Sequence, residues 1–314
     1  MFKLDNNISE LLPLTADTSQ FNKVFIPIEH DFSLELANQN SLNIYHLRTE
    51  NRKFKYEDLT NFCVGNLSQY IFNRKTVKKA KSPADIQILY NRGRKQLREV
   101  RNQNDNGAGG ELGELLLYLF LENCLHAPKL LSKMEIKTTR NQYVYGADGL
   151  HLYITKDKYG NPVYQFIIGE AKIKNDILDA TRVAFESIRN SIDEIDIETA
   201  LVSEEILKEV CTEEDARKLM EVILPSEDIG DKYTTCEKAV GVFIGYTGNY
   251  EEDIDNSSWN KNINNKIKKD IERAVDTIKR KIEALSLKGY SFYCYYLPFN
   301  DADEDRKTIM DNII

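Results

Sequence analysis

Residues 148–174 hold two strand-like runs, DGLHLYIT (148–155) and VYQFIIGEAKIK (163–174), joined by KDKYGNP (156–162). Asp, Gly, Asn and Pro in the connector mark a turn, so the runs form an antiparallel hairpin. No other stretch restricts the fold as strongly, because a hairpin sets register and register decides which side chains share a face. With the midpoint at residue 159, position 148 stands opposite position 170, at roughly 5 Å between Cβ atoms. Alternation sends Glu170 and Lys172 to one face, with Phe166 and Ile168, and Ala171 to the other. Both faces of the second strand are apolar until its C-terminal end. The hairpin therefore brings two carboxylates, Asp148 and Glu170, and one ammonium, Lys172, to the end of a buried sheet.

A lone carboxylate in such a place is costly or takes up a proton. Pairing Glu170 with Lys172 lowers the cost. A divalent cation between Asp148 and Glu170 resolves it, because the ion supplies the missing positive charge. Gly146, Ala147 and Gly149 are small neighbours of Asp148 and leave room for a ligand. Two hard carboxylate ligands with a backbone carbonyl nearby suit Mg²⁺ or Mn²⁺ that keeps several waters. Lys172 then faces the reacting centre, able to orient a water and stabilise developing negative charge. The plainer alternative is a structural salt bridge at a strand end.

The surrounding pattern reads as an α/β fold. ELGELLLYLFLENCL (111–125) is a helix whose apolar stripe runs through Leu112, Leu115, Leu116, Leu119 and Phe120, while Glu111, Glu114 and Tyr118 share another face. MEIKTTR (134–140) alternates as a strand ahead of the hairpin. A helix follows at about 176–192, further helices lie near 198–209 and 213–222, and KAVGVFIGY (238–246) reads as a central strand. A long amphipathic helix over 261–285 and a last strand, YSFYCYYLP (290–298), complete a central mixed sheet flanked by helices. Asn, Asp and Gly dominate 102–110, which places a boundary between an N-terminal α+β region (1–105) and the main domain (106–314). The aromatic residues of 290–299 read as a buried strand rather than a base-stacking platform.

Several function classes drop out. No apolar run approaches the ~18–20 residues of a membrane span, and MFKLDNNISE is not a secretory signal. Five scattered cysteines without a CxxC fit reduced thiols in a cytoplasm, not a disulfide framework or a zinc site. GAGG (107–110) lacks the Lys-Ser/Thr of a phosphate-binding loop. His151 falls on the face opposite Asp148 and reads as packed. Arg182, Glu186 and Arg189 share one helix face and read as a solvated one.

GADGLH with Asp148, IIGEAK with Glu170 and Lys172, and the preceding helix with Glu114 resemble the PD-(D/E)xK nuclease signature. The proline of that signature is absent, since Ala147 precedes Asp148. More narrowly, GELGELLLYLFLENCL, GADGLHLYI and GEAKI resemble the HamA family, nuclease subunits of the bacterial Hachiman anti-phage system, over about residues 106–190. The resemblance implies a restriction-endonuclease-like core and a Mg²⁺-dependent (or Mn²⁺-dependent) DNA endonuclease or nickase. It also implies a superfamily 2 helicase-like partner of the HamB type that restrains and activates it. It assigns Asp148, Glu170 and Glu114 to the metal and Lys172 to catalysis, with Glu111 competing for the place of Glu114. The rival expectation is a nuclease-fold module that binds DNA or a helicase partner without cleaving.

Charge adds an expectation about partners. The chain carries −8 overall, yet residues 73–103 hold ten Lys or Arg against only Asp85 and Glu99. That segment is a candidate phosphate-contacting surface in an otherwise acidic protein. An acidic chain binds duplex DNA weakly at physiological salt unless such a patch is focused, so a partner is expected to deliver DNA or gate the site.

Overall fold

The computed structural model describes residues 12–103, 110–132, 134, 148–201, 214, 236–250 and 254–314. Its central feature is a seven-stranded mixed sheet. The strands that build it are β1 (Phe25–Pro27), β2 (Asn40–Leu47), β5 (Lys129–Ser132), β6 (Gly149–Lys156), β7 (Pro162–Lys174), β8 (Cys236–Thr247) and β9 (Ser291–Phe299). A separate two-stranded ladder pairs β3 (Thr49–Glu50) with β4 (Lys53–Phe54). In space the order is β1-β2-β9-β8-β7-β6-β5. The four central strands β2, β9, β8 and β7 run parallel, and β1, β6 and β5 add antiparallel edges.

Parallel neighbours need crossovers, and helices supply them. α6 (Ile177–Leu201) links β7 towards β8, and α7 (Asn256–Ala284) links β8 to β9. Both crossovers step in the same direction along the sheet, so right-handed connections place both helices on one face, packed on each other. α7 buries Ile263, Ile267, Ile271, Ala274, Ile278 and Ile282, a stripe at helical spacing. The opposite face is covered by α5 (Glu111–Cys124). There Phe120 stacks on Phe243 of β8 and Tyr295 of β9, with ring centroids 5.7 and 5.2 Å away.

Glycines let α5 approach closely. A Cβ at Gly113 would meet the Ala171 Cβ at 3.1 Å, and one at Gly169 would meet Leu117 at 2.9 Å. The odd positions of β7 therefore face α5 and the even positions face α6. Leu112, Leu115, Leu116, Leu119 and Phe120 are all buried, as the helical stripe requires.

The sheet and core run across the boundary expected near residue 105. β2 pairs with β9, and one hydrophobic cluster joins Phe25, Ile44 and Phe62 to Phe120 and Tyr295. The N-terminal part also supplies α1 (Phe21–Val24), α2 (Glu57–Ile71), α3 (Arg74–Lys79) and α4 (Pro83–Gln103). Ser82 caps α4: its Oγ accepts from the Asp85 N–H at 3.1 Å, and the Asp85 carboxylate accepts from the Ser82 N–H at 3.1 Å. α8 (Ala302–Ile313) closes the chain against α2 and the ends of β7 and β8.

Two expectations shift. The strand ahead of the hairpin lies at Lys129–Ser132, before the alternating 134–140 stretch, of which 135–140 fall outside the described residues. The helix after β7 continues to Leu201, and of the helices expected near 198–209 and 213–222 all but 198–201 and 214 lie outside them too. Among the described residues no helix is long and apolar enough to cross a membrane.

Candidate active site

The hairpin forms in the expected register. Lys156 pairs with Pro162 and the ladder continues to Leu150 with Ile168. Its turn is held by the Asp157 carboxylate, which accepts from the N–H groups of Tyr159 and Asn161 at 2.8 Å each, with Gly160 at φ 84°. At the far end the ladder slips. The Asp148 N–H donates to the Gly169 carbonyl at 2.9 Å, and its Oδ2 accepts from the Ala171 N–H at 2.8 Å. Asp148 thus straps the open end of the hairpin, alongside residues 169–171. Among the described residues, β7 beyond this strap pairs only with β8.

Glu170 points to the α6 face and is only 2% exposed. Its Oε2 accepts from Ser187 Oγ of α6 at 2.9 Å, and its Oε1 accepts from Lys172 Nζ. Burial pushes the Glu170 carboxyl up to about 7, the Asp148 charge adds to the rise, and Lys172 and Ser187 pull against it. Lys172 is the partner with access to solvent: 28% of its side chain is exposed. It borders a groove of about 500 Å³ beside the C-terminal end of β7.

Glu114 approaches Asp148 from the other side of the sheet. It lies on α5, the face opposite Glu170, and accepts from Tyr70 Oη at 3.1 Å. Burial, with the charges of Glu114, Asp148 and Glu111, holds the Tyr70 hydroxyl well above its usual range. Glu114 and Asp148 line one small cavity with Tyr70, Lys129 and His151. Asp148 therefore stands between two arrangements, the Glu170–Lys172 pair and the Tyr70–Glu114 contact. Among the described residues no group of three or more His, Cys, Asp or Glu side chains is placed to hold a metal. The structure brings Asp148, Glu170 and Lys172 together at the end of the hairpin and places Glu114 with Asp148 in the small cavity behind it.

Two neighbouring buried carboxylates, of which Glu170 pairs with Lys172, still fit a hard divalent cation, because the ion would offset the charge that now raises Glu170. Asp148 and Glu170 are the residues that would hold it. Ser187, seventeen positions after Glu170 on a helix, was not singled out by sequence, and nothing in its local pattern marks it. Tyr70, near the end of α2, was likewise not singled out by sequence.

The other expectations resolve case by case. His151 is packed: its Nδ1 meets the Ala127 carbonyl at 2.8 Å, and burial pushes it down to about 4. Arg182 pairs with Asp179 and Glu186, and Glu186 also pairs with Lys281 at 2.8 Å, an ion-paired surface. All nine residues of β9 are buried. The basic segment is partly spent inside the molecule. Arg74 is buried and donates to the carbonyls of Pro13 and Lys129; Arg94 and Arg98 hold the Ile314 carbonyl; Arg101 pairs with Asp311 at 2.6 Å. Those four cations are committed to docking elements, which shrinks the surface expected to meet phosphates.

A family model described as HamA matches residues 20–313. No curated protein and no solved structure matches the chain.

Proposed function

The chain belongs to the HamA family, and from that premise we propose that it is a divalent-metal-dependent DNA nuclease, a component of Hachiman anti-phage defence. Its core is of the PD-(D/E)xK type, it acts in the cytoplasm, and a helicase-like partner of the HamB type restrains and activates it. The observation that carries the reading is the joining of Asp148, Glu170 and Lys172 at a strand end that borders a groove.

Each residue has a part that its surroundings support. Asp148 is fixed by the Ala171 N–H, and Glu170 by Ser187 and Lys172, so both carboxylates are held before any ligand arrives. Mg²⁺ or Mn²⁺, when bound by Asp148 and Glu170, supplies positive charge that neutralises phosphoryl oxygens. Lys172 already lines the groove, with 28% of its side chain exposed. Its ammonium is placed to orient a water and to stabilise charge developing on the phosphate. Glu114, bonded to Tyr70, is a support behind Asp148.

The test is nicking of supercoiled plasmid with Mg²⁺, with EDTA, and with Glu170→Gln. Cleavage only by the wild type with Mg²⁺ supports the reading; equal cleavage by Glu170→Gln overturns the site. A second reading, a nuclease-fold module that binds DNA or a helicase partner without cutting, is favoured by the two-carboxylate rather than three-carboxylate arrangement among the described residues. Firm DNA or partner binding with no cleavage in any metal selects it.

A further inference from the structure

The groove beside Lys172 is lined by three cations, Lys172, Lys174 and Arg306, and three carboxylates, Asp176, Asp179 and Asp303. Lys174 lies two residues beyond Lys172 on the same strand face, about 6.6–6.8 Å further along. Arg306 reaches the same edge from α8 and donates to the Ile173 carbonyl at 3.3 Å. Both outer cations are held by carboxylates of the chain. Lys174 Nζ meets Asp179 Oδ2 at 2.7 Å, and Arg306 meets Asp303 Oδ1 at 3.0 Å.

We infer that Lys174 and Arg306 contact the nucleic-acid phosphates flanking the one that Lys172 faces, and that Asp179 and Asp303 are the internal counter-ions they exchange for those phosphates. This rests on the nuclease reading and deepens it.

Three observations support the exchange. The Lys174–Asp179 pair is exposed on both sides, 39% and 38%, so it contributes little to stability and breaks cheaply, and in the second pair 43% of the Asp303 side chain is open against 17% of Arg306. Each carboxylate keeps a partner after release. Asp179 also accepts from Arg182, and Asp303 also accepts from Asn175 Nδ2 at 2.7 Å. The Arg306 guanidinium is not fully satisfied where it stands, since its buried Nε has no hydrogen-bond partner. A groove whose cations are matched one for one by its own acids attracts a polyanion weakly. That local balance, and not net charge alone, predicts weak DNA binding by the isolated chain.

The test is fluorescence anisotropy of a fluorescein-labelled DNA oligonucleotide with the full chain in EDTA, across a salt series. Asp179→Asn and Asp303→Asn should each tighten binding about two- to fivefold, the equilibrium equivalent of one exposed ion pair. Misfolding cannot produce that gain. Lys174→Gln and Arg306→Gln should weaken binding and each lower the log–log salt slope by about one. In Asp303→Asn combined with Arg306→Gln, the gain from Asp303→Asn should vanish, because its cation is gone. Unchanged binding in both asparagine variants overturns the inference, as does a gain that persists without Arg306. Metal-dependent cleavage by the wild type, assayed in parallel, separates this failure from failure of the nuclease reading.

Discussion

Replacing Glu170 with Gln in the metal-free protein should change how stability depends on pH. Glu170 is 2% exposed and its carboxyl is pushed up to about 7 from 4.5, first by burial and then by Asp148. A carboxyl raised in the folded state binds its proton more tightly there than in the unfolded chain. Its contribution is therefore fully present below about 4.5 and is lost as pH rises through about 7. At about 1.4 kcal/mol per pH unit, the loss is on the order of 3 kcal/mol. Urea unfolding in EDTA at a series of pH values from acid to alkaline measures it. Wild type should lose stability across the interval by up to that amount more than Glu170→Gln. Adding Mg²⁺ or Mn²⁺ at alkaline pH should restore wild type and leave Glu170→Gln unchanged, because only the ionised carboxylate takes the ion. Parallel pH curves for the two proteins would refute the claim that Glu170 carries an unbalanced buried charge.

Two further substitutions probe the scaffold. Gly245→Ala places a Cβ 2.8 Å from Phe299 and 2.9 Å from Ile173, so overpacking should cost about 1–3 kcal/mol by urea midpoint. Lys129→Met removes a buried ammonium that donates to the carbonyls of Gln69, Tyr70 and Phe72 at 2.9, 3.1 and 3.2 Å. Stranding those carbonyls at the end of α2, next to Tyr70, should cost about 3 kcal/mol or more in the same assay.

What the amino-acid order made readable was what local chemistry specifies. Turn residues and alternation set the β6–β7 register to the residue, and with it the neighbourhood of Asp148 and Glu170. The stripe of α5 and the apolar run of β8 were equally plain. Long-range choices were not. Nothing near residues 40–47 signals a parallel pairing with β9 some 250 positions later. Helix pattern showed that α5 carries acids, but the contacts at Gly113 and Gly169 decide which sheet face it covers, and that decision separates Glu114 from Glu170. KLLS at 129–132 forms a strand because β6 is there to pair with it, while MEIKTTR alternates better in isolation. Counting charges over 73–103 did not distinguish Arg98, bonded to the Ile314 carbonyl, from a lysine in water.

The central claim is that Asp148 and Glu170 bind a divalent cation while Lys172 acts on the phosphate. Lys172→Met separates the two roles in one preparation, by calorimetric titration with Mn²⁺ followed by plasmid nicking of the same sample. Retained metal binding with nicking abolished is the predicted result; nicking at the wild-type rate would contradict it.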